Sequence, residues 1–363
     1  MRLPLAPIAG IVLFSQPVES QARAADWALH KQCAVGTEPD TTTLGRVRSV
    51  QLLTDGRLLV ADAQARSILV FDSEGRARPA LGRVGSGPAE YRTPYALATI
   101  GDTIALLDPG NARIGLFGRD GSWRGSWAVQ PITGPTVRLY RVPGKEFYTL
   151  GIRRVETSSV TIYIRHDGRG PRDTLAPAPW AQASSAGVQC AGTDKGIHFF
   201  STTFQSSHLR APGPGGTILD AEMAEYRIEQ RSTSGAVLRT FTGSAARLPI
   251  TDVEWDSAGA ELAAYLKQDP NTSCNRRTLE RPASKPAIRA FWWDDSGRLW
   301  VERYAAKGFA FDLFNDRGAL IATMPAPERL SDIEPSVVGN RIALLSATPD
   351  GVQFVQVFRF GPR

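Results

Sequence analysis

The amino-acid sequence predicts an all-β fold, a six-bladed β-propeller with a small helical insertion before the fifth blade. Three observations support this prediction. A turn followed by an apolar strand recurs along the chain, glycine turns follow strands at a fixed spacing, and the repeat has the length of one propeller blade. The segments are short, apolar or alternating, and rich in Val, Ile, Phe and Trp, which favours strands over repeated amphipathic helices.

The repeat is defined by two elements that return in the same order. One element is a strand whose last apolar residue lies four positions before a glycine turn. It occurs at Gly75, Gly121 and Gly168, which are 46 and 47 residues apart. This period matches the ~40–50 residues of a four-stranded propeller blade. The other element, which comes earlier in each repeat, is a turn followed by an apolar strand. It occurs at 55–62, 101–108, 143–151, 295–302 and 339–346.

The repeat divides the chain into six blades and one insertion. The segment 248–285 fits no blade, and its helical spacing predicts a helix that ends at Asp269-Pro270, because proline cannot continue a helix. This insertion is either a lid over a ligand or a structural bracket. The last blade supplies three strands, so we expect residues 27–35 to complete it as the outer strand and close the ring. The six blades are expected at 46–82, 91–127, 136–176, 185–243, 286–325 and 332–360.

The first 24 residues have the pattern of an export signal, which leaves residues 25–363 for the propeller. Arg2 supplies a positive charge, an apolar stretch runs to Phe14, and Ala22-Arg23-Ala24 is a small-x-small cleavage site. An apolar tail without a targeting role is the alternative. No apolar run in the sequence reaches the ~20 residues of a membrane span. The pattern predicts a periplasmic or secreted protein without a membrane span.

The net charge and the distribution of the arginines indicate whether the protein binds polyanions such as nucleic acids. The formal net charge is +6, from 42 basic and 36 acidic residues, and 36 of the basic residues are arginine. Clustered arginines would indicate polyanion binding, but here they are scattered along the chain. We therefore predict no nucleic-acid partner.

The three cysteines, Cys33, Cys190 and Cys274, allow three different pairs. The sequence contains no CxxC motif and no Cys/His cluster, so we predict no zinc site. Cys190 is assigned to the inner part of blade four and Cys274 to the insertion that leaves this blade. A Cys190–Cys274 bridge would hold the insertion on the propeller, and we expect Cys33 to stay reduced in the closing strand.

Two runs of the sequence, GRVGSGPAEYRTP (82–94) and IALLDPGNARIGLFGRDG (104–121), resemble the NHL-type six-bladed β-propellers of bacteria. Those proteins carry a G-x-G-PGEF-x-x-P loop and an N-x-R-I-x-x-F-x-x-x-G strand and turn. Ala89 stands where glycine is usual in the family, and Tyr91 stands where phenylalanine is usual. The resemblance implies an exported propeller. It implies no single activity, because related propellers include lactonases and streptogramin lyases as well as binding proteins.

The sequence contains no motif that clearly indicates catalysis. The GRVGSG run is followed by a strand rather than a helix and lacks Gly-Lys-Ser/Thr, so it is interpreted as a connection between blades. His198 and His208 could form a metal or acid-base pair in the channel, but an ordinary strand histidine is favoured. We expect Asp108 to accept hydrogen bonds from backbone amides. The sequence thus predicts no catalytic residue, no metal ligand and no cofactor, with a channel-metal hydrolase or lyase as the alternative.

Binding is expected on the loops between successive blades, which gather around one mouth of a propeller channel. The loops Gly85–Thr93, Gln130–Arg138 and Arg281–Arg289 would form a cationic rim with one aromatic residue. Because arginine pairs well with carboxylate and phosphate groups, we predict a monomer that binds an anionic small molecule or an acidic protein partner. The alternative is that the arginines only brace the loops by pairing with blade carboxylates such as Glu90. The candidate binding residues are Tyr91, Arg92, Arg138 and Arg289.

Overall fold

Six antiparallel four-stranded sheets surround one channel, so the prediction of a six-bladed β-propeller is confirmed. The first strand of each blade lies innermost and the fourth lies at the outer edge. The predicted export signal lies outside the residues that the structure describes. The computed structural model describes residues 25–37, 42–129, 138–155, 158–175, 187–193, 196–200, 204 and 208–363.

The strands of blades one to three follow the predicted order. Blade one consists of Val47–Leu52, Leu58–Asp62, Ser67–Phe71 and Ala77–Arg78. Blade two consists of Ala96–Ile100, Thr103–Asp108, Arg113–Gly118 and Trp123–Ala128. Blade three consists of Leu139–Arg141, Glu146–Val155, Ser158–Asp167 and Gly170–Leu175.

Blades four to six complete the ring. Blade four consists of His208–Gly213, Thr217–Glu222, Arg227–Arg231 and Val237–Thr242. Blade five consists of Ala290–Trp293, Leu299–Tyr304, Phe309–Phe314 and Leu320–Ala326. Blade six consists of Ser336–Val338, Arg341–Ala347, Gln353–Pro362 and, as its outer strand, Ala25–Val35.

The N-terminal strand closes the ring as predicted. It pairs antiparallel with Gln353–Pro362 from Trp27 to Val35, and its first two residues also pair in parallel with blade five. Trp27 stacks on Phe360 with ring centroids 6.0 Å apart. The strand thereby covers the outer edge that blade six would otherwise expose.

Most of the recurring glycine turns share one backbone conformation, but the turn of blade three does not, because its positive φ of 118° falls at Gly170 and not at Gly168. Gly75, Gly121 and Gly318 each have a φ of 85°, in the left-handed region that residues with a side chain rarely adopt. Ala89, where the resembling family usually has glycine, has a φ of 56°. The departure from the family therefore falls at a position where glycine would remove backbone strain.

The Asp at the end of a blade's second strand organises the loop beside it, as expected for Asp108. Its carboxylate accepts backbone N–H bonds from Arg92 and Thr93 and a side-chain bond from Asn111 at 2.7 Å. Asp62 does the same in blade one, accepting from the backbone of residues 45, 46, 64 and 65. These buried carboxylates fix the loops of the upper face, which we define as the face bearing the connections between blades.

A small module beside the propeller corrects the predicted bounds of blade four. The strand Val188–Ala191 pairs with Ile197–Phe200 on one side and with Ser273–Cys274 on the other, and these strands belong to no blade. An α-helix, Asp252–Gln268, packs Leu262 and Tyr265 against this sheet. The apolar run at 197–200 resembles an inner strand, and periodicity alone cannot separate the two. No helix in the described part of the chain is long and apolar enough to cross a membrane.

The predicted Cys190–Cys274 disulfide is present, and Cys33 is not bonded to another cysteine. The place of this disulfide in the fold differs from the expectation, because Cys190 lies in the small module and not in blade four. The bridge therefore joins two successive connections between blades, the one that enters blade four and the one that leaves it. The helix begins at a capping box in which Thr251 and Glu254 bond to each other's backbone amide.

His166, which precedes the turn at Asp167-Gly168, is buried although such a position beside a turn is usually exposed. It is 1% exposed, stacks on Phe147 and Trp127, and shares a hydrogen bond of 2.9 Å with the Thr149 hydroxyl. Burial lowers the pKa of His166 from 6.5 to about 4, although the nearby Asp167 acts in the opposite direction. The folded protein thus holds this imidazole neutral at a pH where the unfolded chain would protonate it.

The stability of the fold should decrease in mild acid because of His166. Between pH 6.5 and pH 4 the unfolded chain binds the proton and the folded chain does not, so stability is complete above this window and lost below it. By linkage, the loss between pH 7 and pH 4.5 is about 2.5 kcal/mol. Urea unfolding at both pH values should show this loss, and the Thr149→Val/His166→Phe variant should lack it. An equal loss in the variant would contradict the assignment.

Candidate functional site

Arg141 crosses the central channel and closes it. From the inner strand of blade three, its guanidinium donates to the backbone oxygens of Val50 (2.8 Å), Glu334 (2.8 Å) and Pro335 (2.7 Å). It also donates to the side chains of Gln51 and Glu334, at 3.3 Å and 3.4 Å. Burial lowers the pKa of Arg141, and the charge of Glu334 opposes this effect. All its donors are therefore used within the ring, and Arg141 joins blade three to blades one and six.

Three cavities meet at Arg141. One of about 80 Å³ lies towards the lower face, and two of about 330 and 130 Å³ lie at the mouth on the upper face. We call the 330 Å³ cavity the mouth cavity. Its lining includes Arg48, Tyr95, Arg138, Asp332 and Glu334. The site therefore opens towards the upper face and is closed at its base by Arg141.

Among the residues that the structure describes, Arg48 and Arg138 are the cations of the mouth cavity without a close acidic partner. The side chain of Arg138 is 50% exposed, and its nearest carboxylate oxygen, on Glu334, is 4.0 Å away. Burial acts to lower the pKa of Arg138, but Tyr140 and Glu334 outweigh it and the pKa is raised. Arg48 lies over the Tyr95 ring at 5.2 Å, and its Nε has no hydrogen-bond partner among the described residues. Both side chains have hydrogen-bonding capacity left for a ligand.

A β-bulge places Arg48 in the inner strand of blade one. Val47 pairs with Asp62 and Ser49 pairs with Ala61, so Arg48 is the extra residue between them. A bulge disrupts the regular alternation of side chains and can redirect one of them. Strand alternation alone could not have predicted where this side chain lies.

The smaller cavity at the mouth is lined by arginines that already have acidic partners. Arg289 lies 3.1 Å from Glu302 and stacks over the Phe309 ring at 4.4 Å. Arg210 bonds to Asp220 at 2.8 Å. Both residues contribute positive potential to the mouth. Arg210 donates its hydrogen bond to Asp220, whereas Arg289 Nη1 lies near Glu302 without a hydrogen-bond partner among the described residues.

The structure brings only two of the four predicted site residues together at the channel mouth. Arg138 and Arg289 line the same cavity at the mouth. Arg92 is exposed on the upper face and lines neither mouth cavity, so we treat it as lying outside the site. Tyr91 corrects the prediction, because it is 1% exposed between blades one and two and its hydroxyl bonds to Leu81 and Ile68. A buried tyrosine of this kind packs the core and cannot contact a ligand.

Sequence reasoning missed Arg48, Arg141 and Glu334. Arg141 lies within the inner strand of blade three, where a charged residue next to apolar neighbours could have indicated a channel position. Glu334 lies two residues before the inner strand of blade six, close to the position that Arg138 and Arg289 have directly before their inner strands. A comparison of the residues that flank each inner strand would have found Glu334.

Acidic residues also line the cavity towards the lower face, but their oxygens are occupied. Asp294 accepts from the backbone of Ser296 and Arg298 and from the Trp300 indole at 3.0 Å. Asp295 accepts from the backbone of Gly339. Within the described ranges, no group of three or more His, Cys, Asp or Glu side chains could hold a metal ion.

The two histidines considered as a pair lie in different sheets. The His198 ring lies 4.7 Å from the ring of Tyr265 in the small module. His208 begins the inner strand of blade four and lies 3.5 Å from Asp220. The structure therefore gives no support to a channel pair of His198 and His208, and agrees with the favoured interpretation of ordinary strand histidines.

Fold and site together define a six-bladed β-propeller with a cationic channel mouth. Residues 37–126 match a family described as a 6-bladed beta-propeller, which covers most of blades one and two. Whether the chain is of the NHL type stays a prediction. No curated protein matches the chain.

Several solved structures align with this chain over most of its length. A DUF4221 family member from Bacteroides vulgatus has 10% identity and a TM-score of 0.48, covering 94% of this chain and 100% of its own. Virginiamycin B lyase from Staphylococcus aureus has 11% identity and a TM-score of 0.40, covering 92% and 99%. The calcium-binding protein regucalcin from Agrobacterium tumefaciens has 11% identity and a TM-score of 0.40, covering 94% and 97%. At this level of similarity, the activities of these proteins do not transfer.

Proposed function

We propose that this protein binds a small anionic ligand in the mouth cavity. The observation that carries the proposal is that Arg48 and Arg138 line one 330 Å³ cavity while neither guanidinium donates to a carboxylate among the described residues. Charge-assisted hydrogen bonds from arginine to an anion are shorter and stronger than neutral ones. The site's own arginines therefore favour a ligand that supplies the missing carboxylate.

The shape of the site favours a small molecule over a protein surface. A concave cavity of this volume can bury most of a small ligand, whereas protein partners need a broad contact area of roughly 800 Å² on each side. Arg141 and the apolar residues Leu97 and Leu139 form the base and walls. They reduce the exposure of the arginines to water, which strengthens their interaction with an anion.

We also propose that the protein acts outside the cytoplasm. The export pattern of residues 1–24 supports this location. The Cys190–Cys274 disulfide gives independent support, because disulfides persist in oxidising compartments. The ligand would then be an anion available in the periplasm or the surroundings of the cell.

The proposal predicts that Arg48→Ala/Arg138→Ala weakens anion binding. Isothermal titration with succinate, citrate and inorganic phosphate should detect at least one ligand for the unmodified protein. The double variant should bind it at least about tenfold more weakly, since each hydrogen bond to a charged group contributes about 1.5–3 kcal/mol. Thermal unfolding of the variant checks that the fold is intact.

Arg92→Ala is the matched control, because Arg92 is an exposed arginine of the same face outside the cavity. It should leave the affinity unchanged. Equal weakening by Arg92→Ala would show a general charge effect and contradict the site. Failure of all three anions to bind would contradict the proposed function.

A further inference from the structure

The mouth cavity contains acidic groups as well as cations. One carboxylate oxygen of Glu334 bonds to Arg141, and the other lies 4.0 Å from Arg138, beyond hydrogen-bond distance. This second oxygen has no hydrogen bond within the described part of the chain. Asp332 is exposed at the same cavity and forms no ion pair with any described residue. A ligand in the cavity would therefore meet free acceptors beside free donors.

We infer that the ligand is a zwitterion of the α-amino acid type, with its carboxylate on Arg138 and Arg48 and its ammonium group on Glu334 and Asp332. This inference rests on the proposed function, since it assigns the chemical class of the ligand for the same cavity. A plain anion would be attracted by the arginines and repelled by Glu334. A zwitterion converts that repulsion into a second attraction.

The distance between Arg138 and Glu334 fits this ligand. In an α-amino acid, bond lengths place the ammonium nitrogen about 2.7 Å from the nearer carboxylate oxygen. Charge-assisted hydrogen bonds at each end add about 2.8 Å. These three lengths close a four-sided ring whose fourth side is the 4.0 Å between Arg138 and Glu334. The 4.0 Å spacing is therefore compatible with the short charge separation of an α-amino acid.

The walls of the cavity suit an apolar side chain on the ligand. Tyr95, Leu97, Leu139 and Ile333 line the cavity together with the charged groups. The three aliphatic residues among them are at least nine-tenths buried, so they form a fixed surface. A leucine-sized side chain would cover them and leave the ligand's two charges at the polar edge.

The test compares L-leucine with N-acetyl-L-leucine, which lacks the positive charge, and with L-leucine amide, which lacks the negative charge. Titration calorimetry of the full chain should show L-leucine binding at least about tenfold more tightly than either derivative. Glu334→Gln should remove the preference over N-acetyl-L-leucine. Arg138→Gln should remove the preference over L-leucine amide. Arg92→Gln should change neither preference.

The outcomes separate this inference from the proposed function. If N-acetyl-L-leucine binds as tightly as L-leucine, the zwitterion is wrong and a simple anion site remains. If Glu334→Gln retains the full preference for the free amino group, the assignment of Glu334 is wrong. The Asp332→Asn variant tests the assignment of Asp332 in the same way. If neither the leucine probes nor the simple anions bind, both proposals are wrong.

Discussion

Replacing Glu302 with glutamine is expected to lower the free energy of unfolding by about 3–5 kcal/mol, because it leaves buried positive charge without a partner. The Glu302 side chain is fully buried and accepts two hydrogen bonds from Arg329, at 3.0 Å and 2.8 Å. Arg289 approaches the same carboxylate at 3.1 Å. Burial lowers the pKa of Arg329, and the charge of Glu302 opposes this shift. Without Glu302, two guanidinium groups would repel each other in the core.

Glu328→Gln is a suitable control for this variant. Glu328 is exposed on the connection that leads to Arg329, so the same change of charge should alter stability by less than about 0.5 kcal/mol. Urea unfolding of both variants measures the difference. A Glu302→Gln variant as stable as the control would show that this ion pair does not hold blades five and six together.

Removing residues 25–35 is expected to cost about 5 kcal/mol or more, because these residues supply the outer strand of blade six. The strand buries Val35 and partly buries Trp27 and Leu29, and each fully buried large apolar side chain contributes about 1.5–3 kcal/mol. Its loss would also expose the outer edges of blades five and six, Leu320–Ala326 and Gln353–Pro362. Exposed strand edges promote aggregation.

Thermal unfolding and light scattering of the shortened chain test this prediction. Adding a synthetic peptide of residues 25–35 should restore the unfolding transition, because it can pair with the free edge of blade six. A peptide with the same composition in scrambled order is the control. A shortened chain that remains monomeric and unfolds at the original temperature would contradict ring closure by this strand.

The sequence allowed prediction of the blades because their signals are local. The turn before each apolar strand and the glycine after it fix where strands begin and end, and Gly75, Gly121 and Gly318 share one conformation. The closing strand followed from counting the strands of blade six. The disulfide was predicted from the expected positions of Cys190 in blade four and Cys274 in the insertion, although the surroundings of Cys190 were predicted wrongly.

The features that could not be predicted depend on contacts between distant segments. The strand at 197–200 looks like an inner strand, and only its pairing with 188–191 shows that it belongs to the small module. Tyr91 follows a loop and could have been exposed, but blades one and two enclose it. Arg48 lines the mouth cavity at a bulge, which depends on pairing with the next strand. The lining of the mouth cavity is set by such distant contacts.

The measurement that tests the central claim most directly is anomalous diffraction from crystals soaked in sodium bromide. Bromide is a small anion that can be located without knowledge of the natural ligand. The account predicts a bromide ion in the mouth cavity, in contact with the guanidinium groups of Arg48 and Arg138. Bromide bound only at exposed arginines such as Arg92 and Arg83, with none in the mouth cavity, would contradict it.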